Sequence, residues 1–389
     1  VSADLAPVGI EPETPPVYQF VHSLDLDLVA GPGDPQAVKK WSGLLFLQTS
    51  KDSYFGGRFI GEAEGSVIQR LTELEKDQGD TISFDLAIQL RGKPTAGDQR
   101  IEGKGEQLKF YTDTVMIDQV RHPVTSGGKM SRKRTIHDIR SKMKMKLGEY
   151  FARLHDEYLF CYLSGARGMN EDFVQDTDWT GHAGNAFQAP DDSHHIYAST
   201  ATSTATLTTA MKFTSSLVEK AVAKSKMFRA LDPKKANMQP VKVENGKHYI
   251  ALINPWQCYD LRNADTTGWL EIQKAVMTAE GRKNPIFAGG LGMINNCIIH
   301  EHESVIRFND WGSGSDVNGA RALFLGAQAG VVAYGSASGL RFDWSEENLD
   351  HGNEVEIAAG FIGGMKKTRF NGADFGVISI DTAAADPNA

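Results

Sequence analysis

Apolar residues recur at every second position in "ISFDLAIQL", where Ile82, Phe84, Leu86, Ile88 and Leu90 alternate with mostly polar neighbours. That period predicts a strand with one buried face. A second run, "LKFYTDTVMIDQV", puts Leu108 and Phe110 in one phase and Val115 and Ile117 in the other, so a bulge is expected around Thr112 to Thr114. Between the runs the alternation lapses: residues 91 to 110 carry four glycines, five basic and three acidic side chains, and almost nothing apolar before Leu108. Two strands joined by a polar, glycine-rich tip predict a long hairpin. Ten residues of strand extend about 33 Å, so the hairpin should project from the body.

The period then changes. Ile136, Ile139, Met143, Leu147, Tyr150, Leu154, Tyr158 and Cys161 recur at spacings of three and four, which predicts one amphipathic helix from Thr135 to Leu163, stopped by Gly165 and Gly168. Shorter helices are expected at 36–48, at 66–77 ("SVIQRLTELEKD", capped by Ser66) and at about 206–228. Residues 168–195 read as a loop ending in His194 and His195. Short strands and helices follow in "KHYIALIN", "GWLEIQKAVMTA", "GMINNCIIHEHESVIRF", "ARALFLG" and "AQAGVVAYG", and the last 40 residues are strand-rich in "EVEIAAGFIGG" and "FGVISID". The first 35 residues, with Pro7, Pro12, Pro15, Pro16 and "GPGDP", suit an extended arm. No internal repeat is visible, and the order of elements supports a mixed α+β fold with projecting segments.

Length and composition narrow the classes. A chain of 389 residues that is 41% hydrophobic can bury a sizeable core. No apolar run approaches the roughly 18 residues of a membrane span, and neither a membrane partner nor a secretory leader is expected. Cys161, Cys258 and Cys297 are too far apart for a C-x-x-C site, which points to free thiols in a reducing compartment. A net charge of −8 argues against a surface that grips nucleic acid throughout. Charge is nevertheless concentrated locally. Lys129, Arg132, Lys133, Arg134, Arg140, Lys142, Lys144 and Lys146 fall within 18 residues that hold one acid, Asp138. Cations at a helix start oppose the helix dipole, so this stretch implies a partner, either acidic protein or nucleic acid.

Motifs for chemistry fail on inspection. Gly97 and Gly103 have five residues between them, one more than the pattern allows, and Lys104 precedes Gly105, which breaks the phosphate-binding loop pattern. "GSASG" has Ala337 where a nucleophile would stand, and "GSGSDVNG" lacks the flanks of a dinucleotide site. "HEHE" at 300–303 is the strongest enzymatic candidate, since His300 and His302 would share one face of a strand and could hold a metal. No third ligand is assignable, and a strand with one polar, partly exposed face accounts for the same residues. No cofactor is expected and no catalytic residue is assigned.

Seven blocks stand together in order: "GDTISFDL", the charged hairpin with "DQVRHPV", "LGEYFARLHDEYLFCYLSG", "HYIALINPWQCYDLR", "NPIFAGGLGMINNCIIHEHE", "LFLGAQAGVVAYG" and "GFIGGMKKTRFNGADFGVISIDT". Over roughly residues 65 to 382 the chain resembles the major capsid protein family of tailed bacteriophages typified by the N-four-like podophages. The resemblance implies the Hong Kong 97-type shell fold. It would make residues 1–60 an N-terminal arm, 79–128 an extended loop, 130–204 the spine helix with peripheral domain, 205–350 an axial domain, and 351–389 a return to the peripheral domain. It implies a structural subunit that assembles with itself as hexamers and pentamers into an icosahedral shell around double-stranded DNA, which it touches weakly. A decoration or cement protein and a portal are expected partners, with assembly in the host cytoplasm. On this reading the tip residues Arg91, Lys93, Asp98, Arg100, Glu102, Lys104, Glu106 and Lys109 make intersubunit contacts. Two alternatives remain: a metal-dependent hydrolase using His300 and His302, and a nucleic-acid-binding protein using residues 129–146.

Overall fold

The strand Gly246–Ile253 divides its side chains between two cores, Ile250 and Leu252 entering one and Tyr249, Ala251 and Ile253 the other. Its neighbour Val317–Leu325 does the same, with Leu323 and Leu325 on one side and Ala322 and Phe324 on the other. Period-two alternation with apolar residues on both faces is the signature of a strand covered twice. The computed structural model describes residues 53–63, 65–75, 79–87, 93–107, 110–135, 138–231, 236–243, 246–264, 290–336 and 342–387. The expected helix at 36–48, the run "GWLEIQKAVMTA" and residues 1–52 of the expected arm lie outside them.

Two sheets carry the fold. The first has 6 strands, in which Glu354–Lys367 pairs antiparallel with Gly330–Gly335, Phe342–Leu349 and Asp118–Thr125. The second has 8 strands and joins Val377–Ala383, Val317–Leu325, Gly246–Ile253 and Cys297–Glu301 at its centre. The long helix Ile139–Ser164 lies between them, and the helix Ser215–Leu231 packs on the far face of the second sheet. Residues 330–335 and 342–349 belong to the first sheet, whereas 377–383 belong to the second.

Several expectations are corrected. Where a helix is expected at 66–77, residues 66–75 hold a strand, Ile68–Leu71, and a short 3-10 turn, Glu73–Glu75, and 76–77 lie outside the described residues. The strand pairs parallel with Gly330–Ala333, and Ser66 offers its carbonyl to Gln328 N at 2.8 Å instead of capping a helix. Sheet pairing outweighs the helical spacing of Val67, Leu71 and Leu74. The hairpin has no bulge at Thr112 to Thr114, since its register runs unbroken from Thr81↔Met116 to Ala87↔Phe110. Phe110 simply lies on the solvent side, 57% exposed.

Two helices stand here: Lys129–Arg134 precedes the expected range, and the expected helix begins at Ile139 and not at Thr135, which is extended. Asp138 starts the second by accepting from Ser141 N at 3.3 Å, the N-cap role that short acidic side chains favour. From Phe151 to Ser164 only Arg153 is exposed, so the amphipathic pattern holds for the first half alone. A helix buried all round is what a position between two sheets requires. Phe151 meets Phe342 and Phe361 with ring centroids 5.9 Å away in each case. Truncating it to alanine would cost about 3–5 kcal/mol. Gly165 ends the helix at φ 73, and a Cβ there would lie 2.0 Å from the Gln188 carbonyl oxygen, so only glycine fits. The later helix begins at Ser215, because residues 204–206 form a separate 3-10 turn.

Candidate intersubunit surfaces

The hairpin strands Thr81–Ala87 and Phe110–Met116 are fixed to the body at their base. Ile82 and Val115 are buried with Leu71, Leu74, Val331 and Ala333 in a small core of their own. Asn185 completes the sheet edge by accepting from Met116 N at 3.0 Å and donating to Met116 O at 2.7 Å. Asp113 receives Lys366 Nζ at 2.5 Å, and Phe84 meets Phe370 edge-on at 5.9 Å. Gly364 permits this seat, since a Cβ there would lie 1.9 Å from the Met116 carbonyl oxygen.

Beyond the base the chain changes character. Of residues 93–107 only Thr95 is less than exposed, and none of them forms a strand. Turns at Gly97 (φ 64) and Gly103 (φ 83) reverse the chain, and Lys104 N closes the second on Ile101 O at 3.0 Å. The expected contact residues Lys93, Asp98, Arg100, Glu102, Lys104 and Glu106 are all exposed, while Arg91 and Lys109 lie outside the described residues. Sequence reasoning passed over Ile101. It is 72% exposed at the tip, an apolar residue amid charge, and its isolation in the sequence was the available signal.

The basic stretch is split between satisfied and open side chains. Arg140 reaches Glu346 at 2.7 Å, Lys146 reaches Glu149 at 2.6 Å, Arg132 donates to Asn353 O at 2.9 Å, and Lys144 stands 5.1 Å over the Trp344 ring. Lys129, Lys133, Arg134 and Lys142 are exposed and make no side-chain ion pair among the described residues.

A protein with a rigid body, an anchored hairpin and open charge has the build of an assembly unit. The model of the family described as phage capsid protein matches residues 30–386. The chain belongs to the phage capsid protein family. Its copies form a capsid shell on the Hong Kong 97-type fold. It is 57% identical to the chain in the capsid of Ralstonia phage GP4, covering 87% of this chain and 92% of that one with a TM-score of 0.83. It is 26% identical to the major capsid protein of Pseudomonas phage KPP25, over 88% of this chain and 94% of that protein. The capsid of cyanophage Pam1 shares the fold at 22% identity and a TM-score of 0.66, over 86% of this chain and 93% of that one.

In this capsid protein His300 and His302 pack against aromatic rings. His300 is fully buried, against the expectation of a partly exposed polar face, and its ring meets Phe59 at 5.4 Å. His302 packs on Tyr54 at 4.3 Å and Phe160 at 4.9 Å, and burial together with nearby Arg58 lowers its pKa to about 4. Among the described residues no three His, Cys, Asp or Glu side chains gather as a metal would need, so nothing supports the hydrolase reading. The comparisons give no support to the nucleic-acid-binding reading either. The adjacent pair His194 and His195 is not solvated. His194 is buried against Phe228 at 4.3 Å, and His195 bonds Asp381 at 2.7 Å.

Proposed function

We propose that this capsid subunit uses residues 93–107 as its principal arm onto a neighbouring copy, within an icosahedral shell of hexamers and pentamers around double-stranded DNA. One observation carries the reading: the hairpin is locked at Asp113, Val115 and Met116 yet exposes nearly every tip residue. An exposed two-stranded projection is marginal in water by itself and gains order when covered. Charge on Lys93, Asp98, Arg100, Glu102, Lys104 and Glu106 sets the position of that contact, and Ile101 gives it an apolar point. Repetition around a closed lattice lets modest pairwise affinities sum to a stable shell.

The remaining roles follow the same reading. Residues 1–60 act as a strap, the first sheet with the long helix forms the peripheral domain, and the second sheet forms the axial domain. The subunit does no chemistry, meets packaged DNA weakly, and meets a portal and a decoration protein at the shell, which is built in the host cytoplasm. The test removes residues 92–105 and closes the strands with Asn-Gly. The shortened subunit is expected to unfold thermally like the full chain while failing to form particles in sedimentation and electron microscopy. Normal assembly, or a monomer that no longer folds, would contradict the arm.

A further inference from the structure

Two clusters of opposite charge stand at the two ends of the long helix. At the N-terminal end, Lys129, Lys133, Arg134 and Lys142 are exposed, and Met130 (59% exposed) and Met145 (44% exposed) lie among them. Beyond the C-terminal end, the loop at 169–179 exposes Glu171, Asp172, Asp176 and Asp178, with Met169 43% exposed beside them. None of these carboxylates has an ion pair among the described residues.

The acidic loop is held rigidly. Val174 N and Gln175 N donate to the Glu157 carboxylate at 2.7 and 2.8 Å, and Arg167 grips Gln175 O at 2.6 Å. Trp179 stacks on Tyr158 at 4.6 Å. Its acids are therefore presented outward on a fixed frame. Between Lys142 and Glu157, which anchors the loop, the helix advances about 22 Å at about 1.5 Å per residue, so Lys142 does not reach the acidic loop of its own subunit.

We propose that the cationic face of one copy binds the acidic loop of the next. This rests on the capsid reading and names a second contact, separate from the hairpin. The charges are opposite in sign and equal in number, four against four, and each side adds exposed methionine, whose flexible thioether packs on imperfect surfaces. A contact between unlike surfaces propagates from copy to copy and closes into rings, as a shell requires. Nucleic acid would account for the cations but would be repelled by the loop. Single exposed pairs stabilise little, so the contact acts through several pairs together and chiefly sets register.

The test compares four proteins under conditions where the unaltered chain forms shells: unaltered, Lys133→Glu with Arg134→Glu, Asp172→Lys with Asp176→Lys, and all four changes combined. Each pair of reversals is expected to cut the sedimenting shell yield by about tenfold or more, and the combination to restore most of it. An unchanged yield for either pair, or a combination no better than the worse pair, overturns the proposal. So do basic reversals that empty particles of nucleic acid while acidic reversals are silent. Absence of shells from the unaltered chain would instead strike the capsid reading itself. A second measurement is independent of yield: Lys133→Cys with Asp172→Cys should give an intersubunit disulfide ladder in shells, since Cys161, Cys258 and Cys297 are buried. No ladder overturns the contact.

Discussion

Asp381 and Asp172 carry the same carboxylate in opposite circumstances. Asp381 is fully buried, receives Arg321 Nε and Nη2 at 2.8 Å each, and bonds His195 at 2.7 Å. Burial alone would raise its pKa, but Arg321 and then His195 outweigh burial and hold it at about 2. Arg321 also donates to Ser164 O at 3.0 Å, tying the last residue of the long helix to the second sheet. Asp172 is exposed and has no ion pair among the described residues. The contrast recurs in the cations, with Lys367 buried on Asp374 at 2.8 Å and Lys133 open. Charge inside the body is closed on itself. Charge at the ends of the helix and on the hairpin is left for another molecule.

That comparison breaks most visibly from the inside. Asp381→Ala leaves a buried guanidinium uncompensated and should cost about 3–5 kcal/mol, read as a fall in the thermal midpoint. A smaller loss is expected at Asp156, whose carboxylate accepts Ser53 Oγ at 2.7 Å, Tyr54 N at 2.6 Å and Phe55 N at 3.1 Å. Removing it in Asp156→Ala should cost about 2–3 kcal/mol and release the root of the N-terminal segment.

Asp156 also carries a pH signature. Burial lifts its pKa from 3.8 to about 6, against the pull of the Ser53, Tyr54 and Phe55 hydrogen bonds and of Arg58. The folded state therefore holds this proton more tightly than the unfolded chain. The group's contribution is full below about 3.8 and is lost as pH rises through about 6. Unfolding measured across that window should show the decline in the unaltered protein and lack it in Asp156→Asn. The smallest effect belongs to the open charges: Lys133→Glu with Arg134→Glu should change monomer stability by no more than about 0.5 kcal/mol, checked by denaturant titration.

What was legible in the sequence followed local period. The hairpin strands, the long helix with its Gly165 stop and the strands of the C-terminal third all announce themselves within a few residues. The start of the long helix was also written locally, in Asp138, the one acid of the basic stretch, but Ile136 extends the apolar spacing ahead of it and masks it. The internal ion network could not be read, because its partners are distant in the chain. Arg321 and Asp381 are 60 positions apart, and Ser53 and Asp156 are 103 apart. The tip residues were recognisable as a group because charge and glycine exclude a core. The acidic loop was not, since its outward presentation depends on Glu157 and Arg167 holding the backbone.

Hydrogen exchange of the backbone amides, followed in the free subunit and in assembled shells, tests most directly whether the body is complete and the surfaces await a partner. The amides of residues 93–107 should exchange at the rate of unstructured peptide in the free subunit and become protected in the shell, while those of Phe151–Ser164 are protected equally in both. Protection of 93–107 before assembly, or its absence afterwards, would contradict the account.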